Sequence, residues 1–214
     1  MGSELPKQFI LLNGKPIISY TLQTFLDVYS DMFIILVLPE KYLDTGEMLA
    51  KSTSNPDRIK IVAGGATRFH SVQNGLQQVP EEAVVFVHDG VRCLVRPSLI
   101  RNCYEIALAK GNAVPAIKAT DSVRLELPEG TRVLEREKVR LVQTPQTFLG
   151  SVIKPAFEQA YRESFTDEAS VAEQMGVHIH LVEGETTNIK ITTPQDIVIA
   201  GEILKSWGCD SIKQ

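Results

Sequence analysis

The sequence predicts an α/β fold, a three-layer sandwich in which a mostly parallel sheet lies between two layers of helices. Short apolar runs of strand length alternate along the chain with segments whose apolar residues recur at helical spacing. The strand-like runs are continuously apolar rather than alternating, as in parallel strands buried on both faces. Residues 121–139 break the rhythm, with period-two alternation around Pro128-Glu129-Gly130.

Taken in order, Ile18, Leu22, Phe25 and Leu26 mark the first helix. A strand follows at 33–38 and another at 59–63. Phe69, Val72, Leu76 and Val79 mark the next helix, leading to a strand at 84–88. Leu99, Cys103 and Ile106 then give a helix and 113–117 a strand. Residues 121–139, "DSVRLELPEGTRVLEREKV", are too charged for a central sheet and read either as a projecting β-arm or as an ordinary exposed hairpin. Helices are expected at 155–162 and 167–175, a strand at 177–182, and a last helix from Pro194 to about Trp207. No repeat or linker divides the chain, so residues 1–214 are expected to form one domain carrying the arm.

Composition narrows the function. With 43% hydrophobic residues over 214 positions the chain can bury a sizeable core. A net charge of −4 offers no general attraction to nucleic acid or anionic lipid, so neither is expected as a partner, and a polyanionic ligand would need local basic groups. Cys93, Cys103 and Cys209 have neither paired spacing nor zinc-ligand spacing, and no apolar run reaches the ~18 residues of a membrane span. The expectation is a reduced, cytoplasmic protein.

Candidate site residues fall where strands run out. "VVFVHDGVR" (84–92) carries an apolar strand into Asp89, Gly90 and Arg92, and in open α/β sheets ligands sit outside the carboxyl ends of strands. Asp89 there either caps the turn or accepts hydroxyls, while Arg92 offers a fork of donors to an anion. Gly64-Gly65-Ala66-Thr67-Arg68 ahead of Ser71 is a second strand-to-helix junction whose amides suit an anion, or a plain turn. Lys7 precedes a helix. Lys190 lies just before the Pro-initiated last helix, and each lysine alone is equally an ordinary surface charge. His70, His88, His178 and His180 read as structural or surface residues.

The ordered segments "LPKQF", "NGKPIISYTLQTF", "GGATRFHSVQNGL", "VHDGVR", "QTPQTF", "TDEAS" and "NIKITTPQDI" cover nearly the whole chain. In that order they resemble the 2-C-methyl-D-erythritol 4-phosphate cytidylyltransferase family of the non-mevalonate isoprenoid pathway, whose fold is Rossmann-like. The resemblance implies CMP transfer from CTP to a polyol phosphate with release of pyrophosphate, aided by a divalent ion, usually Mg2+, held largely by the CTP phosphates. It implies phosphate contacts from Lys7 and Lys190 in the transition state, and a nucleotide site at Gly65, Ala66, Arg68, Ser71 and Gly90. It implies an acceptor pocket at Asp89, Arg92, Ser122, Arg136, Thr144 and Thr166, with Ser122 and Arg136 reaching the partner's site through the arm of a homodimer. The attacking phosphate oxygen is already ionised, so alignment and positive charge carry the reaction rather than a general base.

Some positions depart from the family pattern. Gly90, Val91 and Cys93 replace the usual Ala, Ala and Pro, Ala66 replaces a polar residue of some members, and Ser122 stands where Thr is common. Members also begin with a strand and a G-x-G-x-R-M-G loop, of which Met1-Gly2 resembles only the end. The first strand and loop are therefore expected to be absent, with the sequence starting at an internal Met of the full protein. Two alternatives remain open, a ribitol 5-phosphate cytidylyltransferase and a nucleotide-binding relative without turnover. A dinucleotide-binding dehydrogenase is disfavoured, since there is no G-x-G-x-x-G with a downstream acidic residue.

Overall fold

A computed structural model of the chain describes residues 6–210, with side chains to Trp207. Met1-Gly2 and the expectation attached to them, like the Cys209 thiol, lie outside the described residues.

After a 3-10 turn at Lys7–Phe9, β1 (Leu11–Leu12) and β2 (Lys15–Pro16) form a small hairpin. Its turn is Asn13-Gly14, with φ of 49° and 82°, the dipeptide that best tolerates two left-handed residues. Pro16 opens α1 (Ile17–Val28), whose Ile18, Leu22, Phe25 and Leu26 are buried at the expected spacing. β3 (Ile34–Leu38) leads into α2 (Leu43–Lys51), which the sequence reading did not anticipate. Gly46 and Ala50 are the buried residues of α2, and Leu43 and Leu49 pack partly buried against the same core cluster. β4 (Ile59–Ala63) pairs parallel with β3 from Ile34↔Ile59 to Leu38↔Ala63.

α3 (Arg68–Leu76), capped by the Thr67 side chain, precedes β5 (Val84–Val87). α4 (Pro97–Lys110) stops at Gly111, whose φ of 89° is the left-handed helix end that glycine favours. Then come β6 (Asn112–Lys118) and the arm, β7 (Arg124–Leu127) with β8 (Gly130–Val133), which is a hairpin as expected. β9 (Arg140–Val142) and β10 (Gln146–Leu149) follow, then α5 (Gly150–Ala156), α6 (Glu168–Gln174), β11 (Leu181–Glu183) and α7 (Pro194–Asp210).

The α/β architecture stands, and the parallel character of the sheet is seen in part: the larger sheet runs β11-β6-β10-β5 with β9 also on β6, β5, β6 and β11 share one direction, and β3 pairs parallel with β4. Two strands of the larger sheet, β9 and β10, run the other way. The cause is the arm. The chain leaves the carboxyl end of β6 and re-enters near that end, so β9 and β10 must run back antiparallel to it. β10 also pairs antiparallel with β5. Its Gln146, Thr147 and Phe148 are all buried, and two polar residues in so short a strand hide its character in the sequence.

Two corrections concern boundaries. Of the helix expected at 155–162 only Pro155 and Ala156 are helical, as the end of α5, which begins at Gly150; residues 157–162 form turns and irregular chain. The strand expected at 177–182 is confined to β11. Residues before it still lie beside β6, where Asn112 Nδ2 donates to His178 O at 2.8 Å.

Helices cover both strand sets. Phe25 of α1 meets Phe86 of β5 edge-on at 5.9 Å, and Leu22 and Leu26 join Leu36 and Leu38 of β3 in one core cluster. On the other face Phe69 of α3 stacks on Phe157 at 4.8 Å within a cluster that includes Val85 and Phe148. Among the described residues no helix is long and apolar enough to cross a membrane.

Candidate active site

The segments following β4 and β5, and those preceding β10, α6 and α7, converge on one cleft of about 230 Å³. Arg68, Asp89, Arg92, Thr144, Thr166 and Lys190 line it, together with Gln143, Gln146 and Asp167. Six of the residues singled out in the sequence therefore meet in one place.

Asp89 is the centre. Its Oδ2 accepts from Lys190 Nζ at 3.1 Å and from Arg92 Nε at 3.3 Å, while Oδ1 lies 4.0 Å from Arg68 Nη2. Burial by itself would raise the pKa of this carboxyl, but Lys190, Arg68 and Arg92 outweigh burial and hold it below the usual range. Backbone contacts fix its position as well, since Asp89 N donates to Thr144 Oγ1 at 3.0 Å. Arg92, only 12% exposed, also donates through Nη1 to the Asn188 carbonyl at 2.8 Å. Burial lowers the Arg92 pKa, against the pull of Asp89.

His88 is structural, as its environment dictates. Nε2 must donate to Arg92 O at 3.0 Å, because a carbonyl can only accept, which leaves Nδ1 to accept from the Thr144 hydroxyl at 3.0 Å. Desolvation pushes its pKa down to about 4, so the ring is neutral and both nitrogens are committed. Gly90 leaves room for α1: a Cβ would sit 3.3 Å from Ile18 Cδ1, a close but yielding contact.

The junction after β4 is internally bonded. Gly65 N donates to Ser71 Oγ at 3.1 Å, and Ser71 Oγ donates to Thr67 O at 2.9 Å. A side chain at Gly65 would collide with His70, which explains the glycine. Gly65 and Ala66 are exposed beside the cleft. Arg68 turns inward instead, pairing both Nη atoms with Glu168 at 2.5 and 2.8 Å. Lys7 Nζ donates to Thr192 O at 3.0 Å, which places it beside the Lys190 segment without lining the cleft. Ser122 and Arg136 are exposed on the arm and do not line the cleft; Arg136 bonds Thr120 O and Glu137.

The sequence reading missed Glu168 and Asn188. Glu168 is fully buried at the first position of α6, its pKa raised by burial and pulled back by Arg68. Asn188, also fully buried, donates through Nδ2 to Thr144 O at 2.9 Å and so ties the Lys190 segment to the loop before β10. Both lie inside quoted motifs, yet their partners are 100 and 44 positions away, and no local spacing marks them.

Among the described residues no group of three or more His, Cys, Asp or Glu could hold a metal ion. Asp89 and Glu168 are already engaged by cations.

Comparison with known proteins agrees with this geometry. The family model for 2-C-methyl-D-erythritol 4-phosphate cytidylyltransferase matches residues 1–206. The chain is 44% identical over 204 residues to the protein of that name from Bacteroides fragilis, covering 95% of this chain and 93% of that protein. It is 41% identical to the one from Porphyromonas gingivalis, covering 96% and 92%. The crystal structure of 4-diphosphocytidyl-2C-methyl-D-erythritol synthase from Anaerococcus prevotii superposes with a TM-score of 0.83 at 28% identity, covering 95% of this chain and 92% of that one. The Francisella tularensis cytidylyltransferase gives 0.79 at 31% identity, covering 92% of each. The chain belongs to the 2-C-methyl-D-erythritol 4-phosphate cytidylyltransferase family of nucleotidyltransferases.

Proposed function

We propose that this chain transfers CMP from CTP to 2-C-methyl-D-erythritol 4-phosphate in isoprenoid precursor biosynthesis. The observation that carries the reading is the cleft's chemistry: Arg68, Arg92 and Lys190 gather around Asp89, and His88 next to it is neutral with both nitrogens occupied. Such a site binds and orients anions and hydroxyls. It has no activated nucleophile of its own, and the reaction needs none.

In the proposed step an acceptor phosphate oxygen attacks the α-phosphorus of CTP. A new P–O bond forms, the bond to the β-phosphate bridging oxygen breaks, and pyrophosphate leaves with its electron pair. Lys190, 47% exposed at the cleft, exchanges Asp89 for substrate phosphate and stabilises charge on the pentavalent phosphorus, with Lys7 behind it. Asp89, Arg92, Thr144 and Thr166 receive the acceptor. Gly65, Ala66, Ser71 and Gly90 form the nucleotide side, with Arg68 between the two. A bound Mg2+ would neutralise phosphate charge and favour departure of pyrophosphate.

The arm is proposed to serve a second copy. Leu125 and Val133, on opposite faces of its hairpin, are 40% and 61% exposed, and a homodimer contact would cover such apolar side chains. Ser122 and Arg136 would then enter the partner's cleft. Cytoplasmic residence fits the free thiols of Cys93 and Cys103.

Pyrophosphate release from CTP, measured with 2-C-methyl-D-erythritol 4-phosphate and with ribitol 5-phosphate, tests the reading. Turnover with the first supports it. Preference for the second would replace the substrate, and turnover with neither would make the chain a nucleotide-binding relative.

A further inference from the structure

Asp89 uses its two oxygens differently. Oδ2 is shared by Arg92 at 3.3 Å and Lys190 at 3.1 Å, whereas Oδ1 has only Arg68 Nη2 nearby, at 4.0 Å. That separation is too long for a hydrogen bond but short enough for attraction between charges. The lone pairs of Oδ1 therefore stay open to an incoming donor while the carboxyl is kept ionised.

The cause of the standoff is Glu168. A guanidinium 4.0 Å from a free carboxylate oxygen would ordinarily close the gap, because a charge-assisted hydrogen bond is stronger than the longer contact. Arg68 is held back by two parallel bonds to Glu168, at 2.5 and 2.8 Å, in the bidentate arrangement that best fixes a guanidinium. Glu168 is enclosed and its helix start is pinned. It is 0% exposed, at the start of a helix whose Asp167 cap is reciprocated by Ser170, while Gln146 bonds both Asp167 Oδ2 and Ala169 N. A buried carboxylate with one strong partner does not release it cheaply.

We propose that Glu168 is a positioning residue that holds Arg68 away from Asp89, keeping Asp89 Oδ1 open to accept a hydroxyl of the polyol phosphate. This rests on the cleft being the acceptor site, as above. It gives Arg68 a task distinct from the nucleotide contact expected from sequence, and it makes the Glu168–Arg68 pair a determinant of acceptor affinity.

Kinetics of Glu168→Gln separate this from a merely structural role. Loss of the grip lets Arg68 close onto Oδ1, so KM for the polyol phosphate should rise about 10-fold while KM for CTP stays within about two-fold, the loss of one hydrogen bond to a charged group. The decisive variant is the pair Glu168→Gln with Arg68→Met. With the blocking guanidinium gone, acceptor KM should fall clearly below that of Glu168→Gln, although Arg68 itself is then missing from the site. A double variant as impaired as Glu168→Gln, or equal loss toward both substrates, overturns the proposal. If Glu168→Gln does not fold, Glu168→Asp, which keeps the charge but shortens the reach, gives the same readings. If the parent protein turns over no polyol phosphate, the functional reading falls separately. The standoff is then decided by a crystal structure of substrate-free Glu168→Gln: an Arg68-to-Oδ1 distance within hydrogen-bonding range (about 3.2 Å or less) supports it, and one as long as in the parent overturns it.

Discussion

Replacing Asp89 by Asn should destabilise the protein by about 1.5–3 kcal/mol, chiefly through Arg92. The Arg92 contact joins side chains only 12% and 14% exposed, so it falls in the range of about 1.5–3 kcal/mol for a hydrogen bond to a charged group. Lys190 is 47% exposed, and solvent screening limits its pair to roughly 0.5–1 kcal/mol. Arg68 at 4.0 Å adds a few tenths at most, roughly what the exposed end of a weak pair contributes. Asn keeps one acceptor and recovers about 1 kcal/mol of the sum. For a chain of this length the net loss lowers Tm by about 3–12 °C, measurable by circular dichroism at pH 7. The pH dependence gives a second check. Because cations hold the folded-state pKa of Asp89 below its unfolded value, its contribution is complete above the unfolded pKa and is lost as pH falls through the folded one. The gap between the parent protein and Asp89→Asn should therefore be full at neutral pH and close in acid. A variant melting within about 1 °C of the parent at pH 7 would refute the view of Asp89 as the hub of the cleft.

Lys190→Ala should reduce turnover by ~10² or more, the scale of one lost transition-state charge contact, with a normal circular dichroism spectrum; near-normal turnover would remove Lys190 from the chemistry. His88 sits neutral with its pKa at about 4, so between that value and its ordinary 6.5 the unfolded chain binds more protons and stability rises with pH, by at most ~3 kcal/mol. His88→Gln should flatten that acid slope in urea titrations, and an unchanged slope would place its origin elsewhere. If the chain forms the proposed homodimer with shared sites, Arg136→Ala and Lys190→Ala should together regain roughly a quarter of parental activity when unfolded and refolded as a mixture, since half the dimers would be mixed and each of those would hold one intact site. Activity equal to the mean of the separate variants would mean that Arg136 serves its own subunit.

The fold was legible where apolar residues cluster at strand length. β3, β4, β5 and β6 are rich in such residues, and the sequence places them to within one or two residues. It was illegible where a partner decides the structure. α2 is short and carries Gly46, a weak helix former, in its middle, with Leu43 and Leu49 completing its core face, while β10 is made a strand by β5 and β6 on either side rather than by its own Gln146 and Thr147. The site divides in the same way. Asp89, Arg92 and Lys190 stand at strand ends or helix starts, positions that announce a ligand. Glu168 looks like a first-turn acidic residue suited to a helix dipole, and only the fold reveals that it faces inward and meets Arg68.

The balance of charge in the cleft explains why an acidic protein can receive two polyanions without carrying a bare cluster of cations. Arg68, Arg92 and Lys190 are matched at rest by Asp89 and Glu168, so the cleft is close to neutral and the cations do not repel one another apart. The pairings differ in how readily they exchange. Glu168 holds Arg68 through two parallel bonds and Arg92 is anchored to a backbone carbonyl, whereas Lys190 shares a single contact with Asp89. Of the three, Lys190 can turn to a phosphate at least cost, and Asp89 keeps Arg92 as a counter-charge when it does. One carboxylate thus stores the mobile cation before binding and remains ionised to accept a hydroxyl afterwards, a sequence of partners that requires its neighbours to be fixed by groups other than itself.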